Sequence, residues 1–179
     1  AAMRKYDPRW LIVFLANLLL WWLTALANHN LNVFAVHLYF VGLFVVYAAL
    51  RLDRKHGLIA TGLTAVMLDA TTPVHFGTSL VLLGLVHATL LAGRQRFPRE
   101  GAVFGIVVAQ LANLFLFIAL SFLLLGANPR PAGAWLRIFV DLLASQLALL
   151  LVAPWFLSLQ ARAMEFVQIH PETGRRVTF

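Results

Sequence analysis

Basic residues in this chain fall into clusters that alternate with basic-poor gaps, and a long apolar run separates each cluster from the next gap. Twelve of the fourteen Lys and Arg residues lie in four groups: Arg4, Lys5 and Arg9; Arg51, Arg54 and Lys55; Arg94, Arg96 and Arg99; and Arg162, Arg175 and Arg176. The stretches 28–32 and 69–76 carry none, and 126–135 carries only Arg130, with Arg137 just beyond. Short loops rich in Lys and Arg stay on the cytoplasmic side of a membrane. The alternation therefore predicts an even number of spans, six, with both termini cytoplasmic. The expected fold is all-α: a polytopic bundle of six transmembrane helices over residues 10–159, between a cytoplasmic N-terminus (1–9) and a cytoplasmic tail (160–179).

Composition agrees with that class. Hydrophobic residues make up 61% of the chain and charged ones 12%, with a mean hydropathy of +0.85, far from soluble norms. The net charge of +7 then belongs to loops that face anionic lipid, and it gives no support to a nucleic-acid partner. With no cysteine, disulfides, thiolate metal sites and cysteine nucleophiles are excluded. The run from Trp10 to Ala27 is long enough to span and is expected to remain rather than to be cleaved as a signal.

Asp7 and Pro8 suit a helix start, so the first span is expected to run to about Ala27, followed by a polar turn at Asn28, His29 and Asn30. A second span is expected from about Val33 to Leu50. Between the next two basic loops, residues 57–93 must supply two crossings and a turn at about 71–76, with arms of roughly 16 to 18 residues. At ~1.5 Å per residue, Asp69 lies about 18 Å from Gly57, in the outer half of the bilayer. A fifth span is expected over 102–125 and a sixth from Trp135 to Trp155 or Leu159, where Pro154 kinks or ends the helix.

Ionisable groups at membrane depth are costly and invite a functional reading. Four stand here. Asp69 has no cation within a turn, so it is either a backbone acceptor for the Thr71-Thr72-Pro73 turn or a functional group. His87 is either a core histidine satisfied by one hydrogen bond or a relay or ligand contact. Arg137 and Asp141, four apart, can neutralise one another near the outer interface, and Ser145 continues their face. Asn17, Gln110 and Asn113 fit interhelical hydrogen bonding. Small residues at four-residue spacing, Gly101, Gly105 and Ala109 in the fifth span and Gly84 and Ala88 in the fourth, allow close helix approach within the bundle or to a partner. No nucleophile elbow, metal-spaced histidine pair or phosphate loop is present, so neither an enzyme nor a bound metal or cofactor is expected.

The stretch Asn30-Leu31-Asn32-Val33-Phe34, a basic loop, Gly57, Gly62, Leu68-Asp69 and Gly77-Thr78-Ser79-Leu80 resembles the rod shape-determining MreD family of bacterial inner-membrane proteins. The likeness covers 30–91; elsewhere only hydropathy and length agree. Ala35-Val36-His37 stands where that family often has a proline, and Thr72-Pro73-Val74-His75 replaces its small polar turn. The resemblance implies a non-enzymatic role in the bacterial elongation machinery: binding an MreC-like membrane protein, near the elongation transpeptidase and glycosyltransferase and an MreB-like cytoskeleton, in support of peptidoglycan synthesis and cell shape. That family resembles in fold the binding components of energy-coupling-factor transporters. The alternative it supplies is a vitamin-binding component with an outward pocket near Asp69, Asn113 and Asp141. Short, sparsely aromatic outer turns favour the scaffold.

Overall fold

A computed structural model describes residues 8–73, 75–94, 102–127 and 133–166. Gly101, the basic residues Arg4, Lys5, Arg96, Arg99, Arg130, Arg175 and Arg176, and the tail beyond Phe166 lie outside the described residues. Within them the chain is all-helical: α1 (Arg9–Leu31), a 3₁₀ turn (Asn32–Phe34), α2 (Val41–Arg51), α3 (Arg54–Thr71), α4 (Thr78–Gly93), α5 (Ala102–Ala127) and α6 (Gly133–Phe166). Three stretches, Arg9–Phe34, Val103–Leu125 and Gly133–Phe166, are long and apolar enough to cross a membrane. Two apolar helices, α2 and α4, are shorter, at 11 and 16 residues.

The short α2 is the centre of the bundle. Every residue from Val41 to Ala49 is buried, and α2 touches all five other α-helices. A helix apolar on every face belongs in a core, and 11 residues reach only ~16 Å. Around it the others form a ring in the order α4, α3, α1, α6, α5, whose weakest seam lies between α4 and α5. Packing replaces the hydrophobic drive where the surroundings are themselves apolar. The closest approach is at Gly42, where an added Cβ would lie 2.4 Å from the Asn113 backbone nitrogen on α5. Gly57 on α3 is similarly tight against α2, where an added Cβ would lie 2.7 Å from the Ala48 carbonyl oxygen.

Several expected boundaries shift, each for a local reason. Asn28, His29 and Asn30 are helical rather than a turn, because α1 continues to Leu31. The second span is not one helix from Val33: the chain makes a 3₁₀ turn, passes through a left-handed Ala35 (φ 54°), and becomes α-helical only at Val41. Pro154 sits inside α6, as neighbours in a bundle allow. The helix passes the expected boundary at 159, with Gln160 and Met164 fully buried. The arms α3 and α4, at 18 and 16 residues with a turn from Thr72 to Gly77, match the expectation.

Candidate functional site

Two helices, α2 and α4, begin beside other helices without a side-chain cap of their own. Helix N-termini leave orphan N–H groups, which are costly away from water. Both are capped from elsewhere in the chain, and these caps use Asp69, Asn113, Asp141 and Ser145 among the polar residues that stood out in the sequence.

Asp69, on the last turn of α3 and 6% exposed, caps α4. Its Oδ1 accepts the Ser79 N–H at 2.8 Å, and its Oδ2 accepts those of Gly77 at 2.9 Å and Leu80 at 3.3 Å. Gly77, at φ 97°, supplies the left-handed turn that aims these donors back at α3. Asp69 is thus a backbone acceptor, but its donors lie beyond the Thr71-Thr72-Pro73 turn. Thr72 donates its own N–H to Leu68, and both threonine hydroxyls turn to Leu68 as well, which closes the end of α3.

The second cap holds a non-helical strap, residues 36–40, against four side chains. Asn28 of α1 pairs with both backbone groups of Leu38, accepting its N–H at 2.7 Å and donating to its carbonyl at 2.9 Å. Asp141 Oδ1 accepts the His37 N–H at 2.9 Å, and Ser145 Oγ accepts that of Tyr39 at 3.0 Å. Asn113 of α5 donates to the Tyr39 carbonyl at 2.9 Å and accepts the Gly42 N–H at 3.1 Å, which caps α2. Non-helical backbone packed among helices needs partners for its polar groups, and here side chains from α1, α5 and α6 supply them.

No family model, curated protein or solved structure matches this chain. The roles of its residues therefore rest on geometry. Arg137 Nε lies 4.0 Å from Asp141 Oδ2 and is over half exposed, so the strap N–H, not the arginine, is the closer partner of this carboxylate. Gln110 of α5 and Gln146 of α6 each donate a side-chain amide to the other's backbone carbonyl, at 2.9 and 3.3 Å.

Deeper in the bundle, Asn17 donates to the Phe44 carbonyl and to Thr64 Oγ1, both at 3.0 Å, and accepts from Gln160 Nε2 at 3.2 Å. This buried knot ties α1, α2, α3 and α6 together. His87 is wholly buried, with Nδ1 3.0 Å from Thr61 Oγ1, and the bare Cα of Gly57 makes room for its ring. Gln160, Thr61, Thr64 and Gly42 were not singled out by sequence reasoning. Gln160 had a signal: it extends the buried stripe Ser145, Leu149, Ala153 and Phe156 at helical spacing.

The small-residue stripes divide. Ala109 is buried and a Cβ added at Gly105 would lie 3.1 Å from Leu157, so the described part of the stripe on α5 packs internally. Gly84 has nothing within 4 Å of an added Cβ, and neither has Gly62; Ala88 is exposed. Asp69, Asn113 and Asp141 are all engaged with backbone, Asp69 at the start of α4 and the other two at the strap and the start of α2, and Asp141 also lines a cavity. No cluster of three or more His, Asp or Glu suited to a metal occurs among the described residues.

Removing the second cap should be measurable. Asn113→Ala orphans the buried Gly42 N–H and the partly buried Tyr39 carbonyl at once, and is expected to cost ~2–4 kcal/mol. Reversible unfolding in bicelles checks this, and a loss under ~0.5 kcal/mol would show that the strap does not depend on Asn113.

Proposed function

We propose that this protein is a component of the bacterial cytoplasmic (inner) membrane that crosses it six times with both termini inside, and that it acts by binding rather than by catalysis. Its partner is a single-span MreC-like protein of the elongation machinery, alongside the elongation transpeptidase and glycosyltransferase and an MreB-like cytoskeleton, in support of peptidoglycan synthesis and cell shape. On this reading α2 with its strap makes the second crossing: five extended residues add up to ~16 Å to the ~16 Å of the helix, together about a bilayer's hydrocarbon thickness. Arg51, Arg54 and Lys55, all exposed, then sit against anionic lipid.

The observation that carries the reading is the α3–α4 hairpin. The residues quoted for the family resemblance, Leu68-Asp69 and Gly77-Thr78-Ser79-Leu80, act as one unit in which Asp69 clamps the start of α4. So held, α4 turns Val81, Gly84, Leu85 and Ala88 outward, with open space above Gly84. In lipid such a face suits a partner's helix. Asp69 is committed to the start of α4, while Asn113 and Asp141 are committed to the strap and the start of α2, which weighs against the vitamin-binding alternative.

Gly84→Leu starts from a Cβ with nothing within 4 Å on the outward face of α4, so the fold is expected to tolerate it. Co-purification of an MreC-like protein from the native host is expected to fall by tenfold or more, with unchanged insertion and thermal stability. Undiminished recovery of that partner would sink this surface as the docking face.

A further inference from the structure

Between the strap, the C-terminal half of α5 and the start of α6 lies a cavity of about 200 Å³, lined by Tyr39, Phe117, Leu120, Ser121, Leu124, Leu125, Ile138 and Asp141. Three features separate it from a packing defect. The Tyr39 hydroxyl is buried with no hydrogen-bond partner, whereas buried tyrosine hydroxyls ordinarily find one. Asp141 commits Oδ1 to the His37 N–H, while Oδ2 has Arg137 Nε only at 4.0 Å, beyond hydrogen-bond length. The rings of Tyr39 and Phe117 meet edge to face, 5.7 Å apart at 81°, and both line the cavity together with Asp141.

We propose that this cavity binds a primary ammonium group carried on a compact apolar body. The sole charged lining residue is a carboxylate, which selects a cation over an anion. An ammonium has three donors: Asp141 Oδ2 can take one, the orphan phenol oxygen of Tyr39 another, and the Ser121 hydroxyl a third. The aromatic faces add cation–π attraction, and the leucines and Ile138 cover the apolar remainder. The volume lies below the ~300–1,000 Å³ of drug-sized sites, so the guest is a small amine or the headgroup of an aminophospholipid. Arg137 competes with this guest for Oδ2, and from its exposed position it can swing away. The site stands apart from the partner-binding reading, and the failure of either leaves the other intact.

The test uses the full chain in phosphatidylglycerol nanodiscs, titrated with phenethylamine and, as a neutral match, phenethyl alcohol. A parallel set of discs has part of the lipid replaced by phosphatidylethanolamine or by phosphatidylcholine, whose quaternary nitrogen donates no hydrogen bond. The melting temperature is expected to rise with at least one primary-ammonium source and not with its counterpart, and the responding arm identifies free amine or lipid. Asp141→Asn keeps an oxygen for the His37 N–H but removes the charge, and is expected to weaken the response tenfold or more; Tyr39→Phe should weaken it several-fold. Arg137→Gln is expected to strengthen it. Equal shifts with charged and neutral counterparts in both arms would overturn the proposal, as would an ammonium-selective shift that survives both Asp141→Asn and Tyr39→Phe.

Discussion

Gly42→Ala is expected to be among the most damaging single-methyl substitutions in the molecule. The new Cβ would lie 2.4, 2.6 and 2.7 Å from N, Cα and Cβ of Asn113, where ordinary contacts are close to 4 Å. Those atoms belong to the backbone of α5 and its first side-chain carbon, so no flexible side chain can give way. The helices must part by about an ångström, and parting them stretches the 3.1 Å bond from the Gly42 N–H to Asn113. Overpacking of this kind costs ~1–3 kcal/mol or more, and loss of the cap adds to it. A total of ~3 kcal/mol or more is a large share of a typical stability of ~5–15 kcal/mol. Gly62→Ala and Gly84→Ala are the internal controls. Neither Cβ would meet anything within 4 Å, and replacing a helical glycine by alanine favours the helix by up to ~1 kcal/mol. Unfolding midpoints for the three variants in one membrane mimetic decide the matter. If Gly42→Ala melts with the controls, α2 does not pack on α5 as described.

The contrast between α2 and α4 shows what a sequence of this kind discloses. The lengths of α3 and α4 were legible because two basic loops and a Pro-containing turn bracket them, leaving little freedom in the residue count. The nature of Asp69 was half legible. An acidic residue with no nearby cation must accept hydrogen bonds from somewhere, but its donors follow the turn instead of forming it, because the threonines close α3 by themselves. The break before α2 was not legible. The run from Val33 to Leu50 is apolar enough to read as one continuous helix, and the residues that hold it open are remote: Asn113 is 71 residues from Gly42, and Asp141 is 104 from His37. Local cap signals describe helices that begin in water. Here α2 and α4 are both capped by residues from other helices, so the caps appeared in the sequence as isolated polar residues within apolar runs. Asn113 was read as an interhelical hydrogen-bonding residue and Asp141 as the partner of Arg137, and their recipient, the strap backbone, carries no side-chain signature.

Removal of the Asp69 carboxylate should reveal how far the α3–α4 hairpin depends on this second trans cap. Asp69→Ala leaves the N–H groups of Gly77, Ser79 and Leu80 without their acceptor and takes a negative charge from the positive end of α4. Charge-assisted bonds are worth more than neutral ones, and an acidic group at a helix N-terminus adds ~0.3–1 kcal/mol or more. The turn lies at the surface of the protein, with Phe76 74% exposed, so the donors are not fully enclosed and can be met in part from outside the chain. The expected loss is therefore ~2–4 kcal/mol, less than three fully buried orphans would cost. Asp69→Asn is not a gentle substitute. Both carboxylate oxygens accept from the backbone, so an amide must set its own donors against either Ser79 or the Gly77 and Leu80 pair, and most of the loss should persist. Asp69→Glu keeps two acceptors but adds a methylene, and should fall between wild type and alanine. Hydrogen exchange localises the effect: faster exchange is expected at the first turn of α4, with Leu83 and Val86 following only if the hairpin opens. Unchanged exchange there in Asp69→Ala would mean that packing alone holds α4, and the outward face at Gly84 would then owe its position to α2 and α3 rather than to the clamp.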